Sequence, residues 1–137
     1  MHEQLVKDAM VPEPFSLKAS ASSQEAGEAL ARPDVRAVFI CQDDGTLVGV
    51  VTRKTLVREV VARGLDPKQT PLGRIAEPPN ATIEASAVLA DAFAYLEEHD
   101  YERVPVVEAG RLVGVLSRVA VQRRLFEDEE VPDTEGV

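Results

Sequence analysis

Tryptophan is missing from this chain, and aromatic residues of all kinds make up only 4% of it. Its core must therefore be built from Val, Leu, Ile and Ala, which supply most of the 45% hydrophobic content. The single cysteine, Cys41, excludes an internal disulfide. No apolar run is long enough to cross a bilayer as a helix, which argues against a membrane protein. The N-terminus carries Glu3 and Asp8 in a helix-like pattern and does not read as a secretory signal. These absences fit a cytoplasmic protein. Basic residues are also in deficit, with 15 Lys and Arg against 24 Asp and Glu, for a net charge of −9. Six of the acids lie between Glu127 and Val137, where there is no base. That segment, 127–137, has no helical periodicity and is expected to lack regular structure. Without it the body carries −3, so nucleic acid is a disfavoured partner. Arg58, Arg63, Arg123 and Arg124 are the side chains that would have to form a patch for it.

What the chain does have is a repeat. Leu47-Val48-Gly49-Val50-Val51-Thr52-Arg53 returns as Leu112-Val113-Gly114-Val115-Leu116-Ser117-Arg118, with five of seven positions identical at an offset of 65. Upstream the offset is 66: Pro12 matches Pro78, Leu17 matches Ile83, Ala26 matches Ala92 and Leu30 matches Leu96. The one-residue difference falls in a turn, Gln42-Asp43-Asp44-Gly45 against Glu108-Ala109-Gly110, where length changes are tolerated. Each half alone would bury too little surface for stability, so the two copies are expected to share a core.

Each copy reads as a short strand, a helix, a hairpin and a second helix. The hairpin strands are Ala37–Cys41 with Leu47–Val51, and Val104–Val107 with Leu112–Leu116. The first helix of copy two shows i, i+3, i+4 spacing through Val88, Leu89, Ala92, Phe93 and Leu96. Ser20 or Ser22 and Ser86 are the expected N-caps. A short helix through Leu5, Val6, Ala9 and Met10 leads into copy one, echoed by Leu72, Ile75 and Ala76 before copy two. Segregated hairpins and helices indicate an α+β fold. The expected boundaries are 1–66 for copy one with its lead-in helix, 67–126 for copy two and 127–137 for the tail.

Chemistry concentrates where the second hairpin strand meets the following helix. Thr52 and Ser117 can cap that helix, and Arg53 and Arg118 follow directly. A hydroxyl, free amides and a guanidinium at one helix start could equally hold a phosphate group. Gly49 and Gly114 sit inside strands, which marks a close approach, read here as one hairpin packing on its twin. Nothing supports catalysis. His2, His99 and Cys41 lack metal-ligand spacing, Cys41 reads as a small core residue, and no nucleophile–base pair or phosphate-binding glycine loop is present.

The doubled Leu-Val-Gly-Val-Val/Leu-Thr/Ser motif, Val104-Pro105-Val106-Val107 and Asp8-Ala9-Met10 together resemble a tandem pair of cystathionine-β-synthase (CBS) domains, a Bateman module, over about residues 5–126. The resemblance implies two βαββα units related by a pseudo-twofold and packed through their sheets into one module. It implies a regulatory protein, not an enzyme, that needs no cofactor. Such a module would sense a small anionic, adenosine-containing ligand such as AMP, ATP or S-adenosylmethionine, form a homodimer and signal to a partner protein. Carried over by position, one cleft would hold Thr52, Arg53 and Thr55 facing Glu102, Arg103 and Val104. A weaker one would hold Ser117 and Arg118 facing Arg36, Ala37 and Val38. The chain departs from the family pattern where nucleotide-binding copies carry an Asp on the ribose, for Thr55 and Ala120 stand there. Losing such a charged hydrogen bond costs about 1.5–3 kcal/mol. Thr55 can still hydrogen-bond and Ala120 cannot, which favours copy one. The alternative reading is a ligand-free dimerisation scaffold with degenerate sites.

Overall fold

The computed structural model describes residues 3–12 and 14–135, with side chains to Phe126. The elements in chain order are α1 (Val6–Ala9), β1 (Val11–Pro12), β2 (Ser16–Lys18), α2 (Ser23–Leu30), β3 (Val38–Cys41), β4 (Leu47–Val51) and α3 (Arg53–Leu56), which continues as a π-helical stretch, Val57–Val61. Then come α4 (Leu72–Ile75), β5 (Ile83–Glu84), α5 (Leu89–His99), β6 (Arg103–Glu108), β7 (Arg111–Ser117) and α6 (Arg118–Glu135). This is the expected α+β order, two βαββα copies each preceded by a short helix.

The two compact units are each assembled from separate stretches of the chain. One unit is Pro14–Pro79 with Gly110–Leu112, and the other takes the N-terminal lead-in, Asn80–Ala109 and the chain from Val113 onward. The lead-in to each copy thus belongs to the unit of the other copy. In the copy-two unit β1 pairs antiparallel with β7, Val11 opposite Val115 and Pro12 opposite Gly114, in a sheet of order β1-β7-β6-β5. Val6 of α1 is fully buried in the same cluster as Leu89, Leu96, Val104, Leu116 and Val121. In the copy-one unit β2 runs parallel to β3, and β3 antiparallel to β4. Leu72 and Ile75 of α4 join Leu30, Val38, Ile40, Val51 and Val60 in its core, and Glu77 forms an antiparallel bridge to Val50. The reason is apolar burial. A four-residue helix cannot stand alone in water, and each lead-in gains its stability by seating Val6, or Leu72 and Ile75, in a core.

Gly49 and Gly114 are where this crossing happens, and the close approach is to a lead-in and not to the twin hairpin. A Cβ on Gly49 would lie 2.5 Å from the Glu77 carbonyl oxygen, and one on Gly114 would lie 2.5 Å from Met10 Sδ and 2.9 Å from the Val11 oxygen. Only glycine lets the lead-in backbone come this close to the second hairpin strand.

Capping follows the sequence in copy one. Ser22 caps α2, its Oγ accepting the Glu25 N–H at 3.3 Å while the Glu25 carboxylate accepts the Ser22 N–H at 3.1 Å. In copy two the cap expected at Ser86 is absent. Val88 holds the N-cap position with no side-chain bond, and the Leu89 N–H donates instead to the Gln4 carbonyl at 2.8 Å. The exchanged lead-in supplies the acceptor that a serine would have supplied. The helix α6 runs on to Glu135.

Two outcomes follow from this packing. Gly49→Ala meets backbone whereas Gly114→Ala meets mainly a flexible Met side chain, so Gly49→Ala lowers stability by about 2 kcal/mol and Gly114→Ala by less. Urea denaturation of both variants reads the difference. Cys41 is buried in β3 and desolvation raises its thiol pKa. Ellman's reagent at neutral pH therefore reacts with it far more slowly in the folded chain than in urea.

Candidate functional site

The strand–helix junction of copy one is built from two threonines. Thr52 stands between β4 and α3 in extended backbone, φ −121° and ψ 176°, as the N-cap. Its Oγ accepts the Thr55 N–H at 3.3 Å, and Thr55 Oγ accepts the Thr52 N–H at 3.1 Å. The two hydroxyls lie 3.1 Å apart. This reciprocal box satisfies two backbone donors that the helix start would otherwise leave open. Thr55 is fully buried, so the hydroxyl expected to meet a ligand serves the cap. Arg53 is engaged as well. Its Nη2 donates to the carbonyl oxygens of Arg32 at 2.9 Å and Val35 at 2.8 Å, tying the loop between α2 and β3 to the junction.

Two further residues reach this junction that spacing alone did not bring to it. Thr55 Oγ lies 3.5 Å from Glu77 Oε2, and the other oxygen of Glu77 accepts from the Arg58 guanidinium. Glu77 comes from beyond α4, held beside β4 by the Val50 N–H to Glu77 oxygen bond (2.8 Å) and its return from the Glu77 N–H (3.0 Å). The only signal in the sequence was the echo of the lead-in helix, which did not say which copy it would join.

The copy-two junction is simpler. Ser117 ends β7, and its Oγ accepts the Ala120 N–H at 3.4 Å, with nothing returned because position 120 has no polar side chain. Arg118 opens α6. Its N–H donates to the Glu102 carbonyl at 2.9 Å, and its Nη1 pairs with Asp100 Oδ1 at 3.0 Å. Asp100 holds a left-handed conformation, φ 57° and ψ 38°, at the end of α5. Beside it His99 stacks on Tyr101 at a ring-centroid distance of 5.4 Å and tilts against Tyr95 at 4.5 Å, so His99 belongs to an aromatic cluster.

The two expected groupings each draw on both units. Within a unit, each junction is met by the run into the first hairpin strand of its own copy: Arg53 by Val35, just before Arg36, Ala37 and Val38, and Arg118 by Glu102, just before Arg103 and Val104. Val38 and Val104 are buried in their cores, which leaves their backbone, and the exposed Arg36, Glu102 and Arg103 side chains, for contacts outside them. Among the described residues no group of three His, Cys, Asp or Glu is placed to hold a metal ion. His2 lies outside the described residues. No helix among the described residues is long and apolar enough to cross a membrane.

The caps differ enough to measure. Thr52→Ala removes the hydroxyl that accepts the Thr55 N–H and meets the Thr55 hydroxyl, while the Thr52 N–H still reaches Thr55 Oγ, and it lowers stability by about 1 kcal/mol. Ser117→Ala removes one long bond and costs less than half as much. Urea melts of the two single variants check the ranking, and equal losses would contradict it.

Comparison with known proteins agrees with this architecture. The sequence pattern of the CBS domain matches residues 6–62 and again 72–127. The chain is 33% identical over 102 residues to hypoxic response protein 1 of Mycobacterium tuberculosis, covering 74% of this chain and 71% of that one. The crystal structure of Hypoxic Response Protein I with two coordinated zinc ions superposes with a TM-score of 0.73 at 28% identity, covering 88% of this chain and 98% of that one. CBSX2, solved in complex with AMP and known from Arabidopsis thaliana, superposes with a TM-score of 0.72 at 29% identity, covering 91% and 98%. Two matched repeats in the expected order, and solved CBS-pair proteins of the same fold over nearly their whole length, show that this chain belongs to the CBS domain family, as a tandem pair.

Proposed function

We propose that this chain is a regulatory module that binds an adenosine-type ligand and reports its occupancy to a partner protein. The observation that carries this reading is the likeness to CBSX2, which was solved with AMP and which this chain matches across nine-tenths of its length. AMP is the first ligand to test, with ATP and S-adenosylmethionine as relatives of the same chemistry. Copy one is the better site, because its junction gathers the partly exposed Arg58 and Glu77 beside the Thr52–Thr55 cap. Copy two offers Ser117 and Arg118, with Ala120 contributing nothing polar. A regulatory and not a catalytic role is supported by the likeness to CBS-pair proteins. Self-association as a homodimer is supported by the apolar side chains left at the surface, Val57 and Val61 on the π-helical stretch and Val119 and Phe126 on α6.

The second reading is an interaction scaffold without a ligand. It is favoured by Arg53, whose guanidinium is already spent on two carbonyls, and by the threonines, which already serve the cap. Titration separates the two. A ligand that binds only the folded chain stabilises it by about 2.7 kcal/mol at one hundred times its Kd. AMP should therefore raise Tm progressively with concentration and give a saturable heat in calorimetry. No shift and no heat at millimolar AMP, ATP and S-adenosylmethionine, together with a dimer by size-exclusion chromatography, would replace the sensor reading with the scaffold.

A further inference from the structure

By spacing alone neither junction has an acid, for Thr55 and Ala120 occupy the fourth position of each motif. The fold brings one to copy one from elsewhere in the chain. Glu77 is clamped along its backbone to Val50, at the far end of β4 from the hairpin turn. Its carboxylate lies at the start of α3, with one oxygen on the Arg58 guanidinium and Oε2 3.5 Å from Thr55 Oγ. The contact with Thr55 is at the outer limit of a hydrogen bond, so Oε2 retains accepting capacity. The side chain is 38% exposed, open to a solute yet held by a guanidinium on one side.

A carboxylate in this position selects for donors. It repels phosphate and accepts O–H groups, and its two oxygens match the two hydroxyls of a vicinal diol. Within AMP the ribose carries that pair, at its 2′ and 3′ positions. The corresponding position in the other lead-in is Val11, which pairs with Val115 as Glu77 pairs with Val50, and it offers no acceptor side chain. The two units therefore differ in a way that the motif residues at 55 and 120 do not express.

We propose that Glu77 is the specificity-determining residue of the copy-one junction, accepting hydrogen bonds from the ribose 2′,3′-diol, with Arg58 as the positioning residue that holds its carboxylate. This rests on the adenosine reading given above. The experiment is calorimetric titration of the full chain with AMP and with 2′-deoxy-AMP, for the wild type and for Glu77→Gln. A carboxylate-to-hydroxyl bond gives a preference of about tenfold or more for AMP over its 2′-deoxy analogue. Glu77→Gln should weaken AMP more than 2′-deoxy-AMP, which keeps only its 3′-hydroxyl, so the preference shrinks towards none. A thermal melt shows whether the variant is folded. If it is not, the wild-type comparison still decides, because equal affinity for the two nucleotides overturns the assignment. A preference that survives in folded Glu77→Gln also overturns it while leaving adenosine binding intact. Failure of the wild type to bind either nucleotide overturns both.

Discussion

The close approach of a lead-in backbone to the second hairpin strand governs this structure. At Gly49 the Glu77 carbonyl occupies the space that any Cβ would need, and at Gly114 Met10 and Val11 do the same. Because the strand has no side chain there, an extended segment can lie across it and exchange backbone hydrogen bonds. Each lead-in helix then reaches a core where its apolar face is buried. Val6 and Leu72 are both fully buried, though each belongs to a helix of only four residues. A helix this short contributes little by itself, and its place is set by what it buries.

The crossing also determines chemistry. It carries the Gln4 carbonyl to the start of α5, where it takes the place of a side-chain cap, and it carries the Glu77 carboxylate to the start of α3. The first is structural and the second is polar and half-open. Arg53 and Arg118 are turned inward in different ways, one onto two carbonyls of its neighbouring loop and the other onto Asp100. In both copies the arginine fastens the junction to its own copy's first hairpin strand or the loop before it. A ligand at either junction would meet groups already partly satisfied, and its affinity would come from the acceptors and donors still open. In copy one those include Glu77.

The two copies are equal in topology and unequal in detail. Copy one closes its junction with a reciprocal pair of threonines and follows it with a π-helical stretch that leaves Val57 and Val61 exposed. Copy two closes with one long serine bond and runs straight into the 18-residue α6. One hydroxyl at position 55 against a methyl at position 120 accounts for the difference in capping, since only the former can return a bond to the N-cap amide.

Much of this was legible in the residues. The repeat, the Gly turns and the alternation in the hairpins identified two βαββα copies, because periodicity and turn chemistry are local properties. The caps at Thr52 and at one of Ser20 and Ser22 were legible for the same reason. The cap at Ser86 and the packing partner of Gly49 and Gly114 were not. Each depends on which distant segment fills a gap, and a lead-in helix has the same pattern whichever copy receives it. The amino-acid sequence by itself determined the family, the order of elements and the lack of an acid at positions 55 and 120. Tertiary structure alone decided that the lead-ins cross over and that Glu77 stands beside Thr55, because apolar burial and backbone pairing act between residues that sequence spacing leaves far apart.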